Sequence, residues 1–319
     1  MLLADKIQGH LLASEELKLY AKRYMQIIKY IPIIEVTNVT RYMYEQTTQE
    51  EWGLEDFPNI APPFPIYFME TRAPKYSLSE DYGLVRQSGF PSRWGALFIA
   101  LNPTREECNR FKIGEVPKQA KWILWALFFS EEDNGKVGLS EVEVGYLVNR
   151  DGEVEKIESG NIDKRYGDFP WLKIMASTTS MAEYFKQDEM LDQLSRTAAI
   201  FLNPLLLGTS FLHCKNVELH KINPPAKLSH KHKKKHGIYL CHYHVLKIEP
   251  MKAVLRSEGE AEKSGLRNAL HICRGHFKDY RDKGLFGQHK GIYWWESHLR
   301  GNKKEGVVFK DYKIIERAE

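Results

Sequence analysis

The chain has few cysteines, no long apolar run and none of the common nucleotide-binding signatures. Its four cysteines, Cys108, Cys214, Cys241 and Cys273, are scattered over 319 residues. That spacing argues against a disulfide framework and for a reducing, cytoplasmic setting. The longest apolar stretch, around Phe201 to Leu212, is interrupted by Asn203, Pro204 and Gly208. It is too short to span a bilayer, so no membrane partner is expected. The first residues carry charges throughout and have no apolar signal core. There is no GxGxxG after a strand, no Walker A loop, no HExxH and no GxSxG. Nucleotide hydrolysis and serine-hydrolase chemistry therefore lack a signature, and no cofactor is implied.

Histidine is nearly missing from the first 200 residues. Only His10 lies there, and the other eleven fall between His213 and His298. Charge is skewed the same way. From Phe201 to Glu319 there are 23 Lys and Arg against 12 Asp and Glu, whereas the first 200 residues hold 23 against 30. The net +4 thus hides a basic C-terminal third, a charge pattern suited to a polyanion such as RNA or DNA. The acidic N-terminal part suits a protein partner instead.

The hydropathy pattern predicts an α+β protein. Leu17, Ala21, Tyr24, Ile28 and Ile31 recur at helical spacing over residues 14–31, with Ser14 placed to cap and Pro32 to stop the helix. A polar stretch and the Ala61–Pro65 proline cluster then read as an extended connection. Strand-like runs follow at Ile66–Thr71, Trp94–Leu101, Trp122–Phe129 and Glu141–Val148. Turn signals at Asp133-Asn134-Gly135 and Asp151-Gly152 make this an antiparallel unit. Helical spacing returns between Ser177 and Leu207. A division follows: residues 1–176 an acidic helix plus β region, 177–212 a helical connection, and 213–319 a basic, histidine-rich β region, with all three able to form one compact unit. Lys227–His236 reads as a basic loop, Tyr239–Ile248 as a strand, and Lys252–Arg267 as a charged connection with helical character.

The sharpest feature is a pair of strands, Leu270–Tyr280 and Gly291–Arg300, closed by a glycine-rich loop. Side chains alternate along a strand, so Arg274, His276, Lys278 and Tyr280 share one face of the first. Trp294, Glu296, His298 and Arg300 share one face of the second. A register pairing even positions with even positions joins Arg274, His276, Lys278, Glu296, His298 and Arg300. Those groups fit metal-independent RNA cleavage. A His or Glu296 takes the 2′-hydroxyl proton, the other His donates one, and Arg274, Lys278 and Arg300 hold the developing charge. A one-residue slip dissolves the constellation. Lys227, Lys231, Lys233, Lys234 and Lys235 supply phosphate contacts, and Trp294 a surface on which a base can stack. Trp295 is expected on the core side, with Tyr293 and Leu299. A competing reading uses Cys241, His244, Cys273 and His276 as two C-x2-H zinc hooks, which a regular strand does not support without a turn or bulge.

Residues Phe211–Pro250 and Leu270–Gly301 resemble uncharacterised proteins of phages and other mobile elements, and Asn59–Pro65 does so more weakly. The resemblance implies a phage or host-defence setting and supplies no activity and no catalytic residue. The leading expectation is a nucleic-acid-engaging protein, with endoribonuclease activity through the hairpin. A non-enzymatic interaction or inhibitor protein is the alternative, and an ADP-ribosyltransferase-like enzyme a weaker one.

Overall fold

The computed structural model describes residues 2–46, 56–72, 91–111, 113, 116–132, 134–155, 168–169, 172–179, 181, 188–249, 269–273, 276–295, 298–300 and 302–307. In chain order the elements are α1 (Leu3–Gly9), α2 (Lys18–Ile27), β1 (Ile33–Glu35), α3 (Thr37–Gln46), β2 (Ile66–Arg72), β3 (Arg93–Leu101), α4 (Arg105–Arg110), β4 (Ala120–Glu131), β5 (Val137–Asn149), β6 (Val154–Glu155), β7 (Asp168–Phe169) and β8 (Leu172–Ala176). Then come α5 (Asp188–Leu212), β9 (Val217–Ile222), α6 (Ala226–His236), β10 (Tyr243–Ile248), β11 (Ala269–Cys273), β12 (His276–Asp279), β13 (Ile292–Trp295), β14 (His298–Arg300) and β15 (Asn302–Val307).

The α+β expectation holds, with a ten-stranded mixed sheet at its centre. Its order is β7-β8-β5-β4-β3-β2-β1-β10-β9, with β6 added beside β5. The predicted antiparallel unit is β2 to β5, whose apolar runs pair in sequence order. The three-residue strand β1 was not anticipated. It lies parallel to both β2 and β10 and so joins the C-terminal strands to the rest of the sheet.

The central strands of the sheet are buried on both faces. One packs α3 and α5 through Val36, Val39, Tyr67, Met69, Phe98, Leu202, Leu205 and Phe211. The other packs α1 and α2 through Leu3, Ile7, Tyr24, Ile28, Phe68, Leu97, Leu127 and Phe129. Burial on both sides explains why these strands read as continuous apolar runs instead of alternating ones. Pro204 and Gly208 interrupt the hydropathy of α5 but not its helix, which runs through both.

One buried ion pair fixes α1 to the sheet. Glu70 on β2 is 1% exposed and accepts from the backbone N–H groups of Leu3 and Ala4 at 3.0 and 2.9 Å. Arg93 Nη1 on β3 donates to the same carboxylate at 3.0 Å. The helix N-terminus thus receives a negative charge where its free N–H groups need one. Gly95 leaves the room: a Cβ there would lie 2.5 Å from the Met69 carbonyl and 3.1 Å from the Cβ of Glu70.

The helix expected over 14–31 forms from Glu15 to Tyr30, with α2 flanked by 3-10 turns at Glu15–Leu17 and Ile28–Tyr30. Its expected cap does not form. Ser14 makes no cap bond, and its buried hydroxyl has no partner. The Lys252–Arg267 connection lies outside the described residues.

Candidate nucleic-acid interface

The hairpin forms, but in the other register. On β12 and β13, His276 pairs with Trp295, Phe277 with Trp294, Lys278 with Tyr293 and Asp279 with Ile292. Beyond them, Cys273 pairs with His298 and His271 with Arg300 on β11 and β14. Every pair joins an odd position to an even one. His276 therefore shares its cross-strand position with Trp295, while His298 shares its position with Cys273. Along one such ladder His276 and His298 fall on opposite parities, so the even-with-even register is not the one that forms. Arg274 and Glu296 lie outside the described residues.

Packing explains the register. Phe277 and Trp294 turn inward onto Phe211 at the end of α5, with ring centroids of 5.2 and 4.7 Å to Phe211 and 4.8 Å to each other. Trp294 is 1% exposed, so it belongs to the core and cannot serve as the stacking surface expected of it. Trp295 is the half-buried member, with the Lys278 ammonium 4.8 Å from its ring centre. The assignment of Trp294 to the outside and Trp295 to the core is thus reversed.

A buried asparagine locks this arrangement. Asn216 lies just after α5 and is 4% exposed. Its Oδ1 accepts from the Trp294 N–H at 2.9 Å, and its Nδ2 donates to the carbonyls of Trp294 and Glu249, each at 2.8 Å. One side chain thereby ties β13 to the exit of β10. Lys215 N–H adds a bond to the Ile292 carbonyl at 2.8 Å.

The basic segment is a helix and not a loop. Pro225 precedes α6, and Gly237 closes it with a left-handed φ of 79° while its N–H bonds the Lys233 carbonyl at 2.8 Å. Lys233, Lys234, Lys235 and His236 fill the last turn, where the helix dipole favours cations. Ser229 is buried, accepting from the Leu240 N–H at 3.1 Å, and the His232 ring donates to the Ile238 carbonyl at 2.9 Å. These contacts fix which side faces the protein. Lys227, Lys231 and Lys234 recur at i, i+4 and i+7 on the opposite side, flanked by His230 and Lys235, all exposed. Among the described residues no ion pair involves these lysines. Lys233 is different: its ammonium bonds the Tyr239 hydroxyl at 3.0 Å and sits 4.2 Å from that ring centre.

The edge strand β9 precedes α6 in the chain, with Glu218, Leu219, His220 and Lys221 exposed. His220 and Lys221 add basic groups on its two faces, yet isolated from the motifs they carried no signal in the sequence. Burial, then the charges of Lys221 and His244, lowers the pKa of His242, disfavouring its cationic form. His213 is removed from this surface. It donates to the Ala61 carbonyl at 2.8 Å, and burial lowers its pKa.

Among the described residues nothing supports the zinc alternative. No group of three or more His, Cys, Asp or Glu suited to a metal occurs among the described residues. Cys241 instead packs against α1, where its N–H bonds Asp5 at 2.7 Å and Gln8 donates to its sulfur. Burial, with Asp5 adding to it, pushes that thiol up to about 12, away from the thiolate that binds metal. Among the described residues no helix is long and apolar enough to cross a membrane. No family model, no curated protein and no solved structure matches this chain.

Proposed function

We propose that the protein binds nucleic acid, RNA or DNA, through the outward face of α6. The observation that carries this reading is the Lys227, Lys231, Lys234 stripe, exposed on a helix whose other side is anchored. Like charges at i,i+3 and i,i+4 destabilise a helix by roughly 0.2–0.5 kcal/mol per pair. The stripe is therefore a standing cost in the free protein, and a row of phosphates would remove it. Further basic groups lie on β9, at His220 and Lys221, and on the hairpin, at His276 and Lys278. A row of lysines on one helix face favours contact along a phosphate backbone over readout of particular bases. The resemblance of the C-terminal stretches to mobile-element proteins supports reading this activity in a phage or host-defence setting.

The test is fluorescence anisotropy with labelled RNA and DNA at several salt concentrations. Each lysine–phosphate contact adds roughly 0.7–0.9 to the salt slope. Replacing Lys227, Lys231 and Lys234 by Gln should lower the slope by about 2 to 3 and leave urea stability unchanged. The absence of salt-sensitive binding to either polymer overturns the proposal. RNA intact after incubation, with and without chelator, would further separate binding from cleavage.

A further inference from the structure

β9 ends the large sheet, and no described strand pairs with its outer side. Its four central residues are exposed, including Leu219 at 37%. Such an edge presents a row of backbone N–H and C=O groups to any strand that can approach. We propose that β9 pairs antiparallel with β9 of a second copy of this chain, about a two-fold axis passing at Leu219.

Symmetry restricts the possible registers. A two-fold axis perpendicular to the sheet keeps each side chain on its own face, and directly paired residues share a face. Only positions of equal parity can then lie opposite one another. Centred on Leu219, the exposed leucine meets its copy, Glu218 meets His220 twice, and Val217 meets Lys221 twice. Centred on His220, two imidazoles would meet, Leu219 would face Lys221, and Glu218 would face Ile222. The first register alone sets acid against base and apolar against apolar.

The neighbouring strand agrees with it. Within one copy Glu218 pairs with Lys247 on β10. Across the joined sheet the row would run Lys247, Glu218, then His220 of the second copy, with a negative charge between the two basic groups. Charged edges usually keep strands apart. Here Lys221 lies opposite Val217 and never opposite another lysine. A six-residue edge makes a small interface, so a weak, reversible dimer is expected.

Cysteine cross-linking of the full chain reads the register directly. At the axis the two Cα atoms lie about 4.5–5.5 Å apart, within disulfide reach. Leu219→Cys should therefore cross-link under mild oxidation. Lys221→Cys places its two sulfurs four residue steps apart, roughly 13 Å, and should not. The parent chain serves as the control for its native cysteines. Sedimentation at increasing concentration should approach twice 37.2 kDa for the parent chain. Leu219→Lys should stay at the single mass, and the triple Lys→Gln variant of α6 should still dimerise. A parent chain monomeric up to about 100 µM, where weak dimers populate, overturns the proposal. So does equal cross-linking at positions 219 and 221, which would point to random encounters or to another register.

Discussion

Replacing Asn216 by Ala removes three hydrogen bonds, two to the buried N–H and carbonyl of Trp294 and one to the carbonyl of the exposed Glu249. At about 1 kcal/mol net for each bond, the loss is about 3 kcal/mol. Some of that loss should be local, because Asn216 holds the hairpin to the body while Trp294 and Phe277 still pack on Phe211. Urea unfolding followed by tryptophan emission measures the total. Hydrogen exchange at the Trp294 amide measures the local part and should accelerate more than the amides of β3 and β4. Asn216→Asp sharpens the comparison. It keeps an acceptor for the Trp294 N–H but turns the donor into an oxygen facing two carbonyls. At neutral pH it should therefore be at least as damaging as Ala, despite its closer shape. Below about pH 4 the protonated acid can donate again and recover part of the loss. A loss under about 1 kcal/mol for Ala, or an Asp variant milder than Ala at neutral pH, would refute this account of the hairpin's attachment.

Two further outcomes follow from buried titrating groups. Burial, outweighing Arg93 and the two helix N–H groups, raises the pKa of Glu70. The folded state then holds that proton more firmly than the unfolded state, so the carboxyl's contribution is full at low pH and declines as pH rises through the folded value. Glu70→Gln abolishes this titration. The stability gap between parent and variant, measured by urea midpoints, should narrow as pH rises above about 4; a pH-independent gap would refute the assignment. The second outcome concerns thiols, since burial puts both Cys214 and Cys241 at about 12. Iodoacetamide at pH 8 should leave both unmodified until urea is added, as read by peptide mass mapping. Rapid native labelling of Cys241 would contradict its packing against α1.

The legible parts of the sequence were those where one local pattern decides the outcome. The strands of β2 to β5 are apolar runs bounded by turn residues, and their pairing follows chain order. Helix α6 was illegible because its apolar side is almost empty. It is held by Ser229 and His232 through hydrogen bonds, which leave no hydrophobic period. Its lysines were nonetheless found, since charge density needs no secondary structure to be seen. The hairpin's existence was visible in its alternation and glycine-rich turn. Its register was not, because Asn216 and Phe211, more than sixty residues earlier, decide which tryptophan turns inward. The same holds for β1, where three residues are too few to carry a period and the strand exists because β2 and β10 flank it.

That short strand also sets an order of events during synthesis. The His244 ring bonds the Ile33 carbonyl across 211 positions of sequence. At roughly 5–20 residues per second, a ribosome needs about 10 to 40 s to deliver β10 after β1 has emerged. Throughout that interval one side of β1 has no mate, and the nascent sheet ends on an open apolar border. The last strand pair of this sheet to be made is thus the one that seals its first strand.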